Sequence, residues 1–377
     1  MSTIKRIVIF SITYDPFIGG AEVAIKEVTN RLPDFEFDLF TARLDSSLPV
    51  QEKIGNVNIY RVGSGHSFLD KIFYPWRASR LALKMHKQNP YNIIHAVMAT
   101  YAGWAALKFK DAEPEVPYLL TLQSGDSDEF IKKRTWFWKN RYKEIYTKAN
   151  KITAISNWLS DRARKYGYKK DISIIPNGVD YKKFDIDMKK EERTSIRESW
   201  GAKENDFVLI TTSRLVHKNG IDILIDAMEF LPDNVRLVIA GEGKDEKELR
   251  GQSSELQDRV KFLGYVGHDE LPRLLKSADM FVRPSRSEGM GNSFVEAKIA
   301  GLPVLGTKVG GILDLIDQGI VEPIEEVSPK SVAGKIKHIK DNPYSDSRVK
   351  EIFNWNYISN QYQQEYQKLI SARNVKA

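Results

Sequence analysis

The 377-residue chain contains no cysteine. That excludes disulfides, thiolate metal sites and a cysteine nucleophile, and points to a cytoplasmic protein. No apolar run approaches the roughly 20 residues needed to span a bilayer. The apolar N-terminal segment ending at Phe10 lacks the long hydrophobic region and small-residue cleavage site of a signal peptide, so it reads as a first strand. No Gly-x-Gly-x-x-Gly follows that strand, which leaves a dinucleotide fingerprint unsupported. Short-period repeats and low-complexity segments are missing, as are zinc-finger and RNA-binding signatures.

What is present describes an ordinary globular protein, 42% hydrophobic and 28% charged, of a length that suits two domains of roughly 150 to 200 residues. The net charge of +7 is unevenly spread: residues 1–180 hold 27 Lys+Arg and 19 Asp+Glu, a balance of +8, and the rest hold 30 and 31, a balance of −1. A basic half joined to a neutral half points to an anionic partner or surface for the first domain.

Short β-branched runs alternate with segments of helical period, the pattern of parallel sheets with crossover helices. The runs predict strands at 4–10, 36–41, 92–96, 118–122, 151–155 and 172–175, then at 207–212, 235–240, 260–263, 280–282 and 303–306. Each half is therefore expected to be a doubly wound α/β domain that binds ligands at the carboxyl ends of its strands. Pro176 and the Asn177-Gly178 turn mark the boundary. The expected division is residues 1–180, residues 181–354, and a terminal helix over 355–377 that packs alone or crosses back onto the first domain.

Three loops carry chemistry. In the first, Glu288 and Glu296 stand eight positions apart around Gly289-Met290-Gly291-Asn292-Ser293. One reading makes Ser293-x-x-Glu296 a capping box opening a buried helix. The other aims both acids, and backbone N–H groups from Gly291 to Phe294, at one hydroxylated, anionic ligand. In the second loop, Arg214 and Lys218 follow strand 207–212 and suit a diphosphate, Arg as a planar fork and Lys as a point charge. In the third, Gly19-Gly20 lies between the first strand and first helix and permits close approach to a phosphate or an acceptor, or is simply a turn.

Gly19-Gly20-Ala-Glu22, Ile175-Pro-Asn-Gly-Val-Asp180, Ser213-Arg214-Leu…Lys218-Asn-Gly220, Ala240-Gly-Glu-Gly243 and the Glu288…Glu296 pair occur in that order. Together they resemble a retaining glycosyltransferase of the GT-B fold, glycosyltransferase family 4 (the glycosyl group 1 family). The resemblance implies two Rossmann-like domains facing across a cleft, with a nucleotide-sugar donor, UDP- or GDP-linked, held mainly by the second. Glu296 would then bind ribose hydroxyls, and Glu288 with Gly289, Met290, Gly291, Asn292 and Ser293 would contact the transferred sugar and phosphates. Arg214 and Lys218 would neutralise the diphosphate, with Gly19 and Gly20 approaching it from the first domain. The resemblance implies no metal and no cofactor, and an acceptor that attacks from the leaving group's face.

The first domain departs from the family pattern. A His-x-His pair is replaced by His95 and Val97, and the next strand runs into Gln123-Ser-Gly-Asp126. His95, Gln123 and Asp126 are candidate sugar or acceptor ligands, with a packed histidine as the other reading of His95. Two Asp-x-Asp triplets, at Asp126 and Asp185, carry no expectation of a metal. The stretch 130–148 combines Lys132, Lys133 and Arg134 with Trp136 and Trp138. It fits an amphipathic helix on an anionic membrane, or a packing helix with Trp138, Tyr142, Ile145 and Ala149 turned inward. On the first reading the enzyme is cytoplasmic and peripherally bound to the inner face of the cell membrane, with a glycan or lipid-linked acceptor. Alternative functions are a GT-B epimerase or phosphorylase and, in a different class, a basic nucleic-acid-binding protein, although no nucleic-acid partner is expected.

Overall fold

The computed structural model describes residues 4–17, 19–342, 349 and 351–374, without the side chains of Arg134, Phe137 and Gln257. The chain divides into two compact units, Met1–Gly178 with Ile352–Ala377, and Val179–Glu351.

The first unit is built on eight strands: β1 (Lys5–Phe10), β2 (Phe35–Ala42), β3 (Gln51–Ile54), β4 (Val57–Val62), β5 (Ile93–Val97), β6 (Tyr118–Leu122), β7 (Lys151–Ala154) and β8 (Ile172–Ile174). They lie in the order β3-β4-β2-β1-β5-β6-β7-β8, parallel except where β3 turns back against β4. The central strands are buried on both faces, which is why they read as continuous apolar runs. The β3–β4 hairpin escaped the sequence reading. It lies at the sheet edge, and the largely polar Gln51–Ile54 and the mixed Val57–Val62 leave no apolar run to find.

One face of this sheet is covered by the helices Gly20–Asn30 and Trp355–Asn374. The terminal helix sends Trp355, Ile358, Tyr362 and Tyr366 into a core shared with Ile7, Ile9, Ile93 and Val97, so the end of the chain is part of the first unit. His95 lies in this core. Its Nδ1 pairs with the Tyr366 hydroxyl at 2.9 Å and its Nε2 with the Thr121 hydroxyl at 2.8 Å.

The second unit carries β9 (Phe207–Thr212), β10 (Val235–Ala240), β11 (Val260–Gly264), β12 (Met280–Arg283), β13 (Val304–Thr307) and β14 (Glu322–Ile324), in the order β11-β10-β9-β12-β13-β14, all parallel. Its core packs the helices Ile221–Ala227 and Pro329–Asp341 against β9, β10 and β12. In each unit the direction of winding reverses once: β1 leads outward to β2 while β5 leads the other way to β6, and β9 leads to β10 while β12 leads to β13. At such a reversal the connecting loops diverge and leave a crevice at the carboxyl ends of the strands.

Burial pushes the pKa of His95 down to about 3. The unfolded chain takes up a proton on His95 near pH 6.5 and the folded one does not, so folding stability falls as pH drops between those values. The slope is about 1.4 kcal/mol per pH unit for this one group. Denaturant titrations at pH 6.5 and pH 5 should show a loss for the wild type exceeding that for His95→Gln by about 2 kcal/mol. An equal loss in both proteins would contradict the buried neutral histidine.

Candidate functional site

Strand β12 ends on Arg283, a cation at the end of an otherwise apolar strand and only 5% exposed. Burial pulls its pKa below the ordinary arginine value, against the raising effect of Glu288 and Glu296. The guanidinium donates from Nη2 to Glu288 Oε2 at 2.8 Å and from Nη1 to the Ser293 hydroxyl at 2.7 Å. It also donates from Nε to the Ser285 hydroxyl and lies over the Phe294 ring, 4.4 Å from its centroid. One buried cation thus holds the loop acid and the helix Asn292–Ile299 in fixed relation.

Glu288 is fixed from two further sides. Its Oε1 accepts the Gly289 N–H at 2.8 Å, and its carbonyl accepts the Gly311 N–H at 3.0 Å. The helix after it begins at Gly291, whose φ of +92° disfavours a side chain, and a Cβ there would lie 2.5 Å from the Phe294 ring. No side chain caps this helix. The capping-box reading is therefore corrected: Ser293 lies inside the first turn, and its hydroxyl is engaged by Arg283.

The loop after β9 is tied to the loop after β12. Arg286 grips Asp222 with two bonds, of 2.7 and 2.6 Å, and donates to the His217 carbonyl. Its own N–H donates to the Lys218 carbonyl at 2.7 Å. Gly220, at φ +68°, lets the loops touch, since a Cβ there would stand 2.0 Å from the Pro284 carbonyl oxygen. On the other side, Asn219 donates to the Arg214 carbonyl at 2.7 Å. The two loops flanking the crevice between β9 and β12 are thus tied to each other by hydrogen bonds and an ion pair.

A cavity of about 410 Å³ opens beside them, lined by Arg214, Glu242, Tyr265, Ser293 and Glu296 among others. The Glu296 carboxylate, held 3.3 Å from His268 Nε2, faces it. Arg214 is exposed at its rim, and among the described residues no carboxylate forms an ion pair with it. Lys218 and Glu288 stand outside this lining, on the loops that border it. The cavity therefore presents two carboxylates, one guanidinium and one helix N-terminus.

Residues 18–183 match the family described as Glycosyltransferase Family 4, and residues 192–353 match Glycosyl transferases group 1. An uncharacterized glycosyltransferase of Methanocaldococcus jannaschii is 30% identical over 326 residues, covering 80% of both chains. The protein belongs to this glycosyltransferase family. Among solved structures, sucrose-phosphate synthase of Thermosynechococcus elongatus superposes on the glycosyltransferase with a TM-score of 0.84 at 21% identity, covering 98% of this chain and 100% of the other. The Anabaena protein HepE in complex with UDP and glucose gives 0.72 at 19%, covering 99% and 98%. The architecture is the GT-B one, two Rossmann-like domains with parallel sheets.

Elsewhere in the glycosyltransferase, the expected residues fall into separate groups. Gly19 and Gly20 open the helix Gly20–Asn30 at the reversal point of the first unit, where the Thr13 hydroxyl donates to Glu22. Gln123 follows β6 and accepts from the Asn177 amide at 3.3 Å. Asp126 is half-buried, and its carbonyl accepts from Arg162 at 2.6 Å. The expected ligand role of His95 is corrected: with both ring nitrogens paired inside the core, it offers a sugar nothing. The second acid of the first Asp-x-Asp triplet, Asp128, is bound by Arg162 at 2.8 Å. Met290 is buried, so its side chain is not offered to a ligand.

The segment 130–148 is not one amphipathic helix. It breaks into the helices Asp128–Thr135 and Lys139–Thr147, joined by a tight turn at Trp136–Trp138. Lys132 and Lys133 are exposed and Trp136 is 76% exposed. Trp138 is corrected from the outward set, because it stacks on Trp104 with centroids 4.6 Å apart. Arg134's side chain lies outside the described residues. Tyr142, Ile145 and Ala149 are buried, so the segment shares the features of both sequence readings.

Sequence reasoning passed over Arg283, Asp222, Arg286 and Glu242. The signal for Arg283 was legible in retrospect: an arginine closing an apolar strand, with an acid five positions on, needs a buried partner. Removing one member of a buried ion pair costs about 3–5 kcal/mol. Arg283→Met should lower the stability of the second unit by about that amount in denaturant titration, with Glu288→Gln losing less because its amide still offers an acceptor.

Proposed function

We propose that the protein is a retaining, metal-independent glycosyltransferase. It moves a hexose from a UDP- or GDP-linked donor to a glycan or lipid-linked acceptor, at the inner face of the cell membrane. The observation that carries this reading is the convergence of Arg214, Ser293 and Glu296 on one cavity at the reversal point of the second sheet. At about 410 Å³, the cavity falls in the range of small-molecule sites, roughly 300–1,000 Å³. Its Glu296 carboxylate suits ribose hydroxyls, and its guanidinium and helix N-terminus suit phosphates. HepE's complex with UDP and glucose supports a UDP-linked hexose as the first donor to test.

In this reading Glu296 accepts hydrogen bonds from the ribose. Arg214 and Lys218 meet the diphosphate, while Glu288 and the backbone from Gly289 to Ser293 meet the hexose and its phosphate. Each Glu288 oxygen already has one donor within the protein and keeps a second lone pair for a sugar hydroxyl. During transfer the bond between the anomeric carbon and the diphosphate oxygen breaks. The acceptor oxygen bonds to the same face of that carbon, and its proton passes to the departing diphosphate oxygen. Negative charge grows on the diphosphate as the bond opens, and the two cations stabilise that charge more than the ground state, which is how they accelerate the step. Acceptor hydroxyls are assigned to Gln123 and Asp126 of the first unit. Exposed Lys132, Lys133 and Trp136 support a membrane-bound acceptor.

A thermal-shift panel of UDP-, GDP- and ADP-sugars identifies the donor, because a ligand that binds only the folded state raises its stability by mass action. With that donor, Glu296→Ala should weaken binding at least about tenfold while leaving the fold intact, as expected for a lost charge-assisted bond. Arg214→Ala and Lys218→Ala should each slow nucleoside-diphosphate release by about 10²-fold, or ~3 kcal/mol, with smaller changes in donor affinity. Near-wild-type turnover in the double variant would sink the catalytic assignment, and an inverted anomeric configuration in the product would overturn retention.

A further inference from the structure

A cavity of about 1120 Å³ runs along the helix Ser67–Gln88 of the first unit. Arg77, Arg80, Lys84 and Lys87 line it from that helix and Lys108 from the helix Tyr101–Ala112. Their spacing of three, four and three residues puts the four helix cations in one stripe. Two acids stand nearby. Asp70 is fully buried and holds Arg77 at 2.6 Å. Asp111 is already bound by Arg141 at 2.5 Å and Lys148 at 2.7 Å. The groove keeps a strong positive excess.

The N-terminal half of the same helix carries exposed apolar side chains. Phe68 is 75% exposed, and Leu69, Phe73 and Trp76 also face solvent. Leu69, Phe73, Trp76 and Arg80 follow one another at intervals of four, three and four residues, so the apolar stripe runs directly into the basic one. Trp76 packs edge-on against Trp104, and Trp104 stacks on Trp138, each with centroids 4.6 Å apart. This ladder joins the helix to the segment that presents Lys132, Lys133, Phe130 and Trp136 to solvent.

An exposed apolar cluster of this kind, bordered by charge of one sign, marks an interaction surface. The chemistry selects the partner. Nucleic acid would use the cations but gain nothing from Leu69 and Phe73, and a second copy of the chain would set the basic stripe against its like. An anionic bilayer uses both halves: aromatic and aliphatic side chains enter the boundary between headgroups and acyl chains, and Lys and Arg meet the lipid phosphates. We propose that the helix Ser67–Gln88, braced through Trp104 on Trp138, is the element that docks this glycosyltransferase on a bilayer containing anionic phospholipid. The inference deepens the membrane part of the proposed function and is independent of the donor assignment.

Flotation with vesicles of phosphatidylglycerol and phosphatidylcholine, against phosphatidylcholine alone, at low and high salt, tests it. The protein should float with the anionic vesicles and be released by salt. Arg80→Gln/Lys84→Gln should reduce the partition coefficient about fivefold per charge removed. Leu69→Ser/Phe73→Ser, both at exposed positions, should reduce it at least as much with the melting temperature unchanged. Lys247→Gln/Lys337→Gln removes the same charge from the exposed surface of the second unit and should float like the wild type. No flotation at low salt, equal flotation on phosphatidylcholine alone, or equal loss in the Lys247/Lys337 variant would overturn the proposal. So would a dimer that Leu69→Ser/Phe73→Ser dissolves while no vesicle is bound. Nucleotide-sugar stabilisation measured on the same samples separates the two readings: its loss counts against the donor site alone, and loss of flotation with stabilisation intact counts against the docking helix alone.

Discussion

Arg283 is the interaction on which the candidate site depends. Burying a guanidinium is expensive, and the cost is offset only if its donors are met by fixed acceptors in good geometry. Here the acceptors are a loop carboxylate, two serine hydroxyls and an aromatic face, drawn from the end of β12, the loop after it and the first turn of the next helix. Satisfying one buried charge therefore sets the position of Glu288 and the orientation of the helix that carries Glu296. The loop bearing Arg214 and Lys218 is secured separately, through Arg286 and Asp222. The acids and the cations of the site are held by two ion pairs that share the same stretch of chain.

This arrangement separates scaffolding from recognition. Arg283 is nearly sealed from solvent, whereas Arg214 is exposed at the rim of the cavity. A cation intended for a ligand must keep an unsatisfied direction, and one intended to hold a loop must not. The first unit uses burial differently. Its terminal helix packs Tyr362 and Tyr366 beside His95, converting a histidine that the sequence offers as a ligand into part of a polar core.

Legibility followed burial. Strands such as Ile93–Val97 and Met280–Arg283 are covered on both faces, and a run of apolar residues is the direct signature of that environment. The β3–β4 hairpin and the three-residue β14, which contains Pro323, carry no such run and were not found. The spacing of Glu288 and Glu296 is visible in the sequence, but of the two readings open for Ser293 the capping box is not formed. A capping box is a local rule, and here a long-range partner, Arg283, claims the hydroxyl that the rule would have used.

The sequence by itself determined that this chain builds two α/β sheets with their loops at strand ends, and which loops are rich in glycine, acid and base. Those features are written in short-range periodicity and turn chemistry, which each segment expresses alone. Only the tertiary structure decided which charges are sealed and which are offered. That choice depends on distant residues: Tyr366 beside His95, Ser293 beside Arg283, Trp104 between Trp76 and Trp138. Leu69, Phe73 and Trp76 have the spacing of an ordinary buried helix face, and nothing in their order reveals that the fold leaves them exposed. Exposure is a property of the assembled fold, because it is set by what fails to pack against a side chain as much as by the side chain itself.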